Sequence, residues 1–196
     1  MKVRLVSLVL LIGLSAPLLS TSVAMMVLPV DLDQLVVEAD RIFLGLVTAV
    51  DEQNDEHGIP GTYVTVQIAR TLKGNTLTTL TFKQLGGQAR PGGNALLRIA
   101  GLPTYQVGQE LILFLRPTSA AGFTSPVGME QGKFRVVRNG TKAQVLNKLG
   151  NANVLGLLGG GDDQQTLIAP EQGALHDHAL DLDSFLSVIE ELANRP

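Results

Sequence analysis

Apolar and polar positions change period several times along this chain, and each change marks an element. Leu32, Leu35, Val36 and Ala39 fall at i, i+3, i+4 and i+7, one apolar helical face. Asp31 stands where its carboxylate can accept from the orphan amides of the first turn, so a short helix is predicted over 31–40. Residues 42–50 are apolar and β-branched on both faces, the pattern of a strand buried over much of its length. Gly45 inside that run predicts a bulge or a bend. The acids, amides, glycines and Pro60 of 51–61 read as an exposed connection. Val64, Val66 and Ile68 then alternate with Tyr63, Thr65 and Gln67, giving one buried and one wet face. Lys73-Gly74-Asn75 turns the chain, and Leu80 and Phe82 carry the alternation through 76–85, so these three strands form an antiparallel meander.

From Gly86 to Gly108 glycine and proline punctuate a long loop that holds one short strand, at 96–100. Long Gly-rich loops in a compact domain are usually either mobile or functional. Strand character returns at 110–116, apolar on both faces and stopped by Pro117, and 123–129 reads as a further extended piece. Asn139-Gly140 lies between two alternating runs, 133–138 and 141–146, and predicts a hairpin with a type I′ turn. A Gly-rich tract over 150–173 follows. The chain ends in a helix from about 181 to 193 with Leu182, Phe185, Leu186 and Ile189 on its buried face and Asp181 or Asp183 as cap. Together these elements predict a mainly β fold, an antiparallel Greek-key barrel or a sandwich, with a short helix at the N-terminal end and another at the C-terminal end. Phe82, Phe114 and Phe134 are expected in its core.

The first two dozen residues follow a different pattern. Met1-Lys2-Val3-Arg4 is a positive n-region, 5–14 an apolar core, and Ser22-Val23-Ala24 a small-x-small cleavage site, the three parts of a signal peptide. Ser7, Gly13, Ser15 and Pro17 interrupt the apolar run, which falls short of the ~20 residues that span a bilayer. The chain thus divides into a leader over 1–24, a β domain over 25–149, a Gly-rich connection over 150–178 and a helix over 179–196. The predicted location is exported, periplasmic or secreted. The sequence contains no cysteine, which excludes disulfides and thiolate metal sites. Losing Lys2 and Arg4 with the leader takes the formal net charge from −3 to about −5, the wrong sign for nucleic-acid binding. Six Phe, two Tyr and no Trp leave little material for stacking bases or sugars.

Candidate chemistry is sparse. His176 and His178 flank Asp177, and in an extended segment both imidazoles face one side, where they could share a zinc or copper ion. A third ligand would have to come from His57, Asp162 or Asp163, and a polar loop ahead of the last helix explains the same residues. No cofactor is otherwise indicated. Asp51-Glu52, Asp55-Glu56 and Glu190-Glu191 read as solvated faces, and no Gly-x-Ser-x-Gly elbow or phosphate-cradling loop is present. The pattern favours a non-enzymatic module that binds another exported protein through the 86–108 loop, with Arg90, Asn94, Arg98 and Tyr105 as its contact residues. Metal binding or metal-dependent hydrolysis at His176 and His178 is the alternative. Self-association through strand edges is a third.

Residues 38–47 (Glu-Ala-Asp-Arg-Ile-Phe-Leu-Gly-Leu-Val), 68–74 (Ile-Ala-Arg-Thr-Leu-Lys-Gly) and 107–115 (Val-Gly-Gln-Glu-Leu-Ile-Leu-Phe-Leu) carry a resemblance in order and spacing. Over about 31–116 the chain resembles netrin-like OB-fold modules, the group that includes the tissue inhibitors of metalloproteinases. It is also similar to uncharacterised exported bacterial proteins of that build. The resemblance implies a five-stranded Greek-key barrel whose loops bind partners. Those inhibitors chelate zinc through an N-terminal cysteine, and this chain has none, so no functional residue transfers.

Overall fold

The computed structural model describes residues 28–88, 96–154 and 179–195. The predicted leader, Arg90, Asn94, His176, His178 and nearly all of the Gly-rich connection lie outside the described residues. No helix among those described is long and apolar enough to cross a membrane.

Helix α1 (Leu32–Glu38) forms where the 3.6-residue pattern put it, with the Asp31 carboxylate accepting from the Gln34 amide at 2.7 Å. Strands β1 (Arg41–Asn54), β2 (Pro60–Lys73) and β3 (Thr79–Leu85) make the expected meander, with longer arms that leave only 55–59 as the first connection. Short strands β4 (Gly87–Gln88) and β5 (Leu96–Leu97) pair with each other as a separate arm. Then come β6 (Glu110–Leu115), a 3-10 turn (Met129–Gly132), β7 (Lys133–Asn139), β8 (Lys142–Leu146) and β9 (Leu180–Asp181), followed by helix α2 (Leu182–Ala193).

Seven strands form one antiparallel sheet in the order β3-β2-β1-β6-β7-β8-β9. Strand β6 returns to lie beside β1, outside the meander, which is the Greek-key order. The mainly β, antiparallel fold expected from sequence is there, but among the described residues the sheet does not close and has β3 and β9 as its edges, so of the barrel or sandwich expected the barrel does not form. The sheet nevertheless bends. The β1–β2 register slips between Ile42 and Phe43, between Leu44 and Gly45, and between Val47 and Ala49, and each bulge adds twist. Gly45 is required there, because a Cβ would lie 2.7 Å from the Gln67 carbonyl oxygen. The bend brings β3 toward the far side of β6, and the extended piece 123–127 spans the gap. It meets β3 at the Lys83–Phe123 bridge and β6 at the Leu115–Pro126 bridge, single contacts where a barrel needs a ladder.

Both faces of the central strands are therefore buried. Ile42, Leu44, Ile112, Phe114, Phe134 and Val145 face α1 and α2, and Phe185 packs against Phe134 with ring centroids 4.9 Å apart and planes tilted by 48°. Phe43, Val47, Val64, Val66, Phe82, Leu111 and Leu113 fill the concave side together with Tyr105. All three phenylalanines expected in the core are there. The Asn139-Gly140 hairpin forms, one residue out of place: Asn139 still pairs with Lys142, so Gly140 and Thr141 make the turn. Of these only Gly140 has positive φ, +61°, the Gly-first pattern of a II′ turn rather than I′.

Candidate functional site

The loop that follows β3 does not hang free. Gly86 and Gly87 take φ of +98° and +131°, which turns the chain back across β2. Side chains are excluded here by contact as well as by φ: a Cβ at Gly86 would sit 2.7 Å from the Leu97 carbonyl oxygen. The buried Thr62 hydroxyl donates to the Gly86 carbonyl at 2.8 Å, and the Gly86 amide to the Pro60 carbonyl at 3.0 Å. Residues 97–105 return on the far side and leave a cleft of about 160 Å³ between the two stretches, with Glu52, Gln84, Arg98 and Tyr105 among its lining residues.

Its floor is a chain of buried polar groups. Gln84, 5% exposed, donates from Nε2 to the Pro103 carbonyl at 2.9 Å, and the Tyr105 hydroxyl stands 3.4 Å from its Oε1. The Tyr105 ring meets Phe82 edge to face, with centroids 5.5 Å apart. Lys133 reaches in from the first position of β7, donates to the Thr104 carbonyl, and places Nζ 5.0 Å from the centre of the Tyr105 ring. Burial lowers the Lys133 pKa, with nearby Glu130 opposing that shift, while burial and then Glu130 push the Tyr105 phenol well above its usual range. Tyr105 is thus a neutral hydroxyl at working pH, and Lys133 does not line the cleft.

Of the contact residues predicted from sequence, the structure places Arg98 on the rim, exposed, and Tyr105 on the floor, 7% exposed. It brings these two to one cleft. Arg90 and Asn94 lie outside the described residues, as do His176 and His178. His57 is exposed at the β1–β2 tip, with Nε2 3.5 Å from Glu56. Among the described residues no three His, Asp or Glu side chains gather for a metal ion. Asp55 is not a solvated acid: it pairs with Lys83 at 3.2 Å and accepts from the His57 and Ile59 amides. Glu190 pairs with Arg70 and Glu191 with Arg195.

Sequence reasoning missed Gln84, Thr62 and Lys133. For Gln84 a signal existed, since it continues the inward series Leu80, Phe82, Gln84, and a polar residue on a core face needs a buried partner. Two wider grooves, about 400 and 470 Å³, flank Lys83. Their cations are engaged locally: Arg41 with Asp40, Arg116 with Glu38, and Lys83 with Asp55 and the Phe123 ring. Compared with protein-family models, curated protein sequences and solved structures, the chain matches none.

Proposed function

We propose that this protein is an exported, non-enzymatic module that binds another exported protein through the 97–105 loop and the β4–β5 arm. The observation that carries this reading is the contrast between floor and rim. Gln84, Thr62 and Lys133 fix the main chain from below by hydrogen bonds. Exposed Arg98 and Leu97, the latter 39% exposed, stand on the rim. A cleft of about 160 Å³ holds roughly five waters' volume, well under the ~300 Å³ at which small-molecule sites begin. It suits one protruding side chain of a partner, with Arg98 beside it for a carboxylate or carbonyl.

The test is affinity capture from the exported fraction of the native host, with the wild-type chain and a Leu97→Asp/Arg98→Glu double variant as baits. Deleting the whole loop would be a poor control, because Tyr105 and the Gln84 partners belong to the core. A partner held by the wild type and lost by the double variant supports the reading. A partner held equally by both removes the cleft from the interface. No partner at all would shift the reading to metal chemistry at His176 and His178, tested by zinc and copper titration of the His176→Ala/His178→Ala variant.

A further inference from the structure

Residues 127–133 stand between the cleft and a part of the chain 100 residues earlier. Toward the cleft, the Glu130 amide donates to the Gly101 carbonyl at 3.1 Å and Lys133 Nζ donates to the Thr104 carbonyl. On the other side, the Gln131 side chain, 3% exposed, holds residues 28–30 as a neighbouring strand would. Its Oε1 accepts from the Val30 amide at 2.8 Å and its Nε2 donates to the Leu28 carbonyl at 2.9 Å. Asn153 donates to the Val30 carbonyl at 2.7 Å and accepts from Asn147 at 2.8 Å, and Asn147 also donates to the Gln131 carbonyl. Gln131, Asn153 and Asn147 thus form a buried clamp, and Asn151 completes it, donating from Nδ2 to the Val145 carbonyl and accepting at Oδ1 from the Asn147 amide.

The backbone between these grips is wound tightly. Gly128 and Met129 both take left-handed φ, +59° and +60°, and for Met129 that is a strained conformation. Val30 rests on Gly128, where a Cβ would come within 3.0 Å of Val30 Cγ2. At Gly132 a side chain would run into the Val127 carbonyl, so the turn between Val127 and Lys133 is packed closely on itself. We propose that residues 28–30 are a strap whose capture by Gln131 and Asn153 helps position the 101–105 loop, so that the side of the cleft gripped by Glu130 and Lys133 loosens when the strap is released. Release of the strap lets Met129 return to negative φ and withdraws the Glu130 and Lys133 grips from Gly101 and Thr104. Coupling of this kind is reciprocal, so a partner in the cleft also tightens the strap. The regulatory consequence rests on the cleft being the binding surface, whereas the coupling itself does not.

Hydrogen exchange on the full chain tests it, with Val30→Pro, which removes the amide that Gln131 receives, and Gln131→Leu as separate variants. The expected result is at least tenfold faster exchange of the Glu130 amide, which donates to the Gly101 carbonyl, and of the Leu102 amide in both, with β2 amides over 64–67 at wild-type rates. Faster exchange over 28–32 alone would overturn the proposal, and so would an equal rise in β2, which reports global loosening. Lys133→Met probes the reverse direction: it is expected to speed exchange of the Val30 amide, and an unchanged amide would overturn the coupling. A partner that still needs Leu97 and Arg98 while exchange is uncoupled would sink the strap and leave the binding reading standing. Coupled exchange with no partner would do the opposite.

Discussion

Replacing Gln84 by Leu is the sharpest perturbation of the cleft floor. The side chain is 5% exposed and makes one good hydrogen bond, to the Pro103 carbonyl at 2.9 Å, and one contact at the outer limit, 3.4 Å from the Tyr105 hydroxyl. Leucine occupies similar space and leaves the buried Pro103 carbonyl without its side-chain donor, a loss of about 1–3 kcal/mol. The apolar replacement returns part of that through burial, at about 25 cal/mol per Å². The expected net destabilisation is therefore about 1–2 kcal/mol, read as a lower midpoint at constant slope in urea unfolding. Tyr105→Phe should cost little by itself, and the Gln84→Leu/Tyr105→Phe cycle should give a coupling below about 0.5 kcal/mol. A loss under about 0.5 kcal/mol for Gln84→Leu would refute the reasoning, because water and not Gln84 would then satisfy Pro103. Coupling above about 1 kcal/mol would show that the 3.4 Å contact had been undervalued.

Phe134→Ala empties a site at 0% exposure between Phe114 and Phe185, and should destabilise by about 3–5 kcal/mol in the same urea assay; under about 1 kcal/mol would contradict the assigned core. Gly45→Ala drives a methyl group against Val66 and the Gln67 carbonyl, and should cost about 1–3 kcal/mol, whereas a neutral effect would mean that the β1–β2 register slip beside Gly45 shifts freely. The Ile59 amide, then Lys83 and the His57 amide, hold the Asp55 carboxyl below its usual range against a smaller opposing effect of burial. Its folded pKa lies under the unfolded value of about 3.9, so the stability it contributes is complete above that pH and is lost as pH falls through and below it. The Ile59 amide resonance should stay constant from pH 7 to about 5 and move only in the acid range; a shift near neutrality, or the same acid response in Asp55→Asn, would remove Asp55 as the cause.

What the sequence determined by itself is what local chemistry decides. Asp31 and Asp181 cap their helices because a carboxylate reaches an amide three residues on, whatever surrounds it. The buried face of α2 and the alternation of β2 and β3 follow from periods of 3.6 and 2, and β6 declared itself central by being apolar on both sides. Even the hairpin at Asn139-Gly140 was local, apart from the one-residue displacement that cross-strand register imposed on its turn.

Tertiary structure alone decided whether the sheet closes and what the polar residues inside it do. Closure depends on the summed bend of three register slips along the β1–β2 pair and on where 123–127 lands, and neither has a short-range signature. Lys133, the first residue of the predicted 133–138 arm, is 7% exposed because its partner, the Thr104 carbonyl, lies 29 residues away. Tyr105 looked like a loop contact and became floor, since the loop folds back over β3. Gln131 and Asn153 find their partners 101 to 123 residues earlier. A polar side chain is buried only when a distant partner satisfies it, and pairings at that range exist only once the chain has folded.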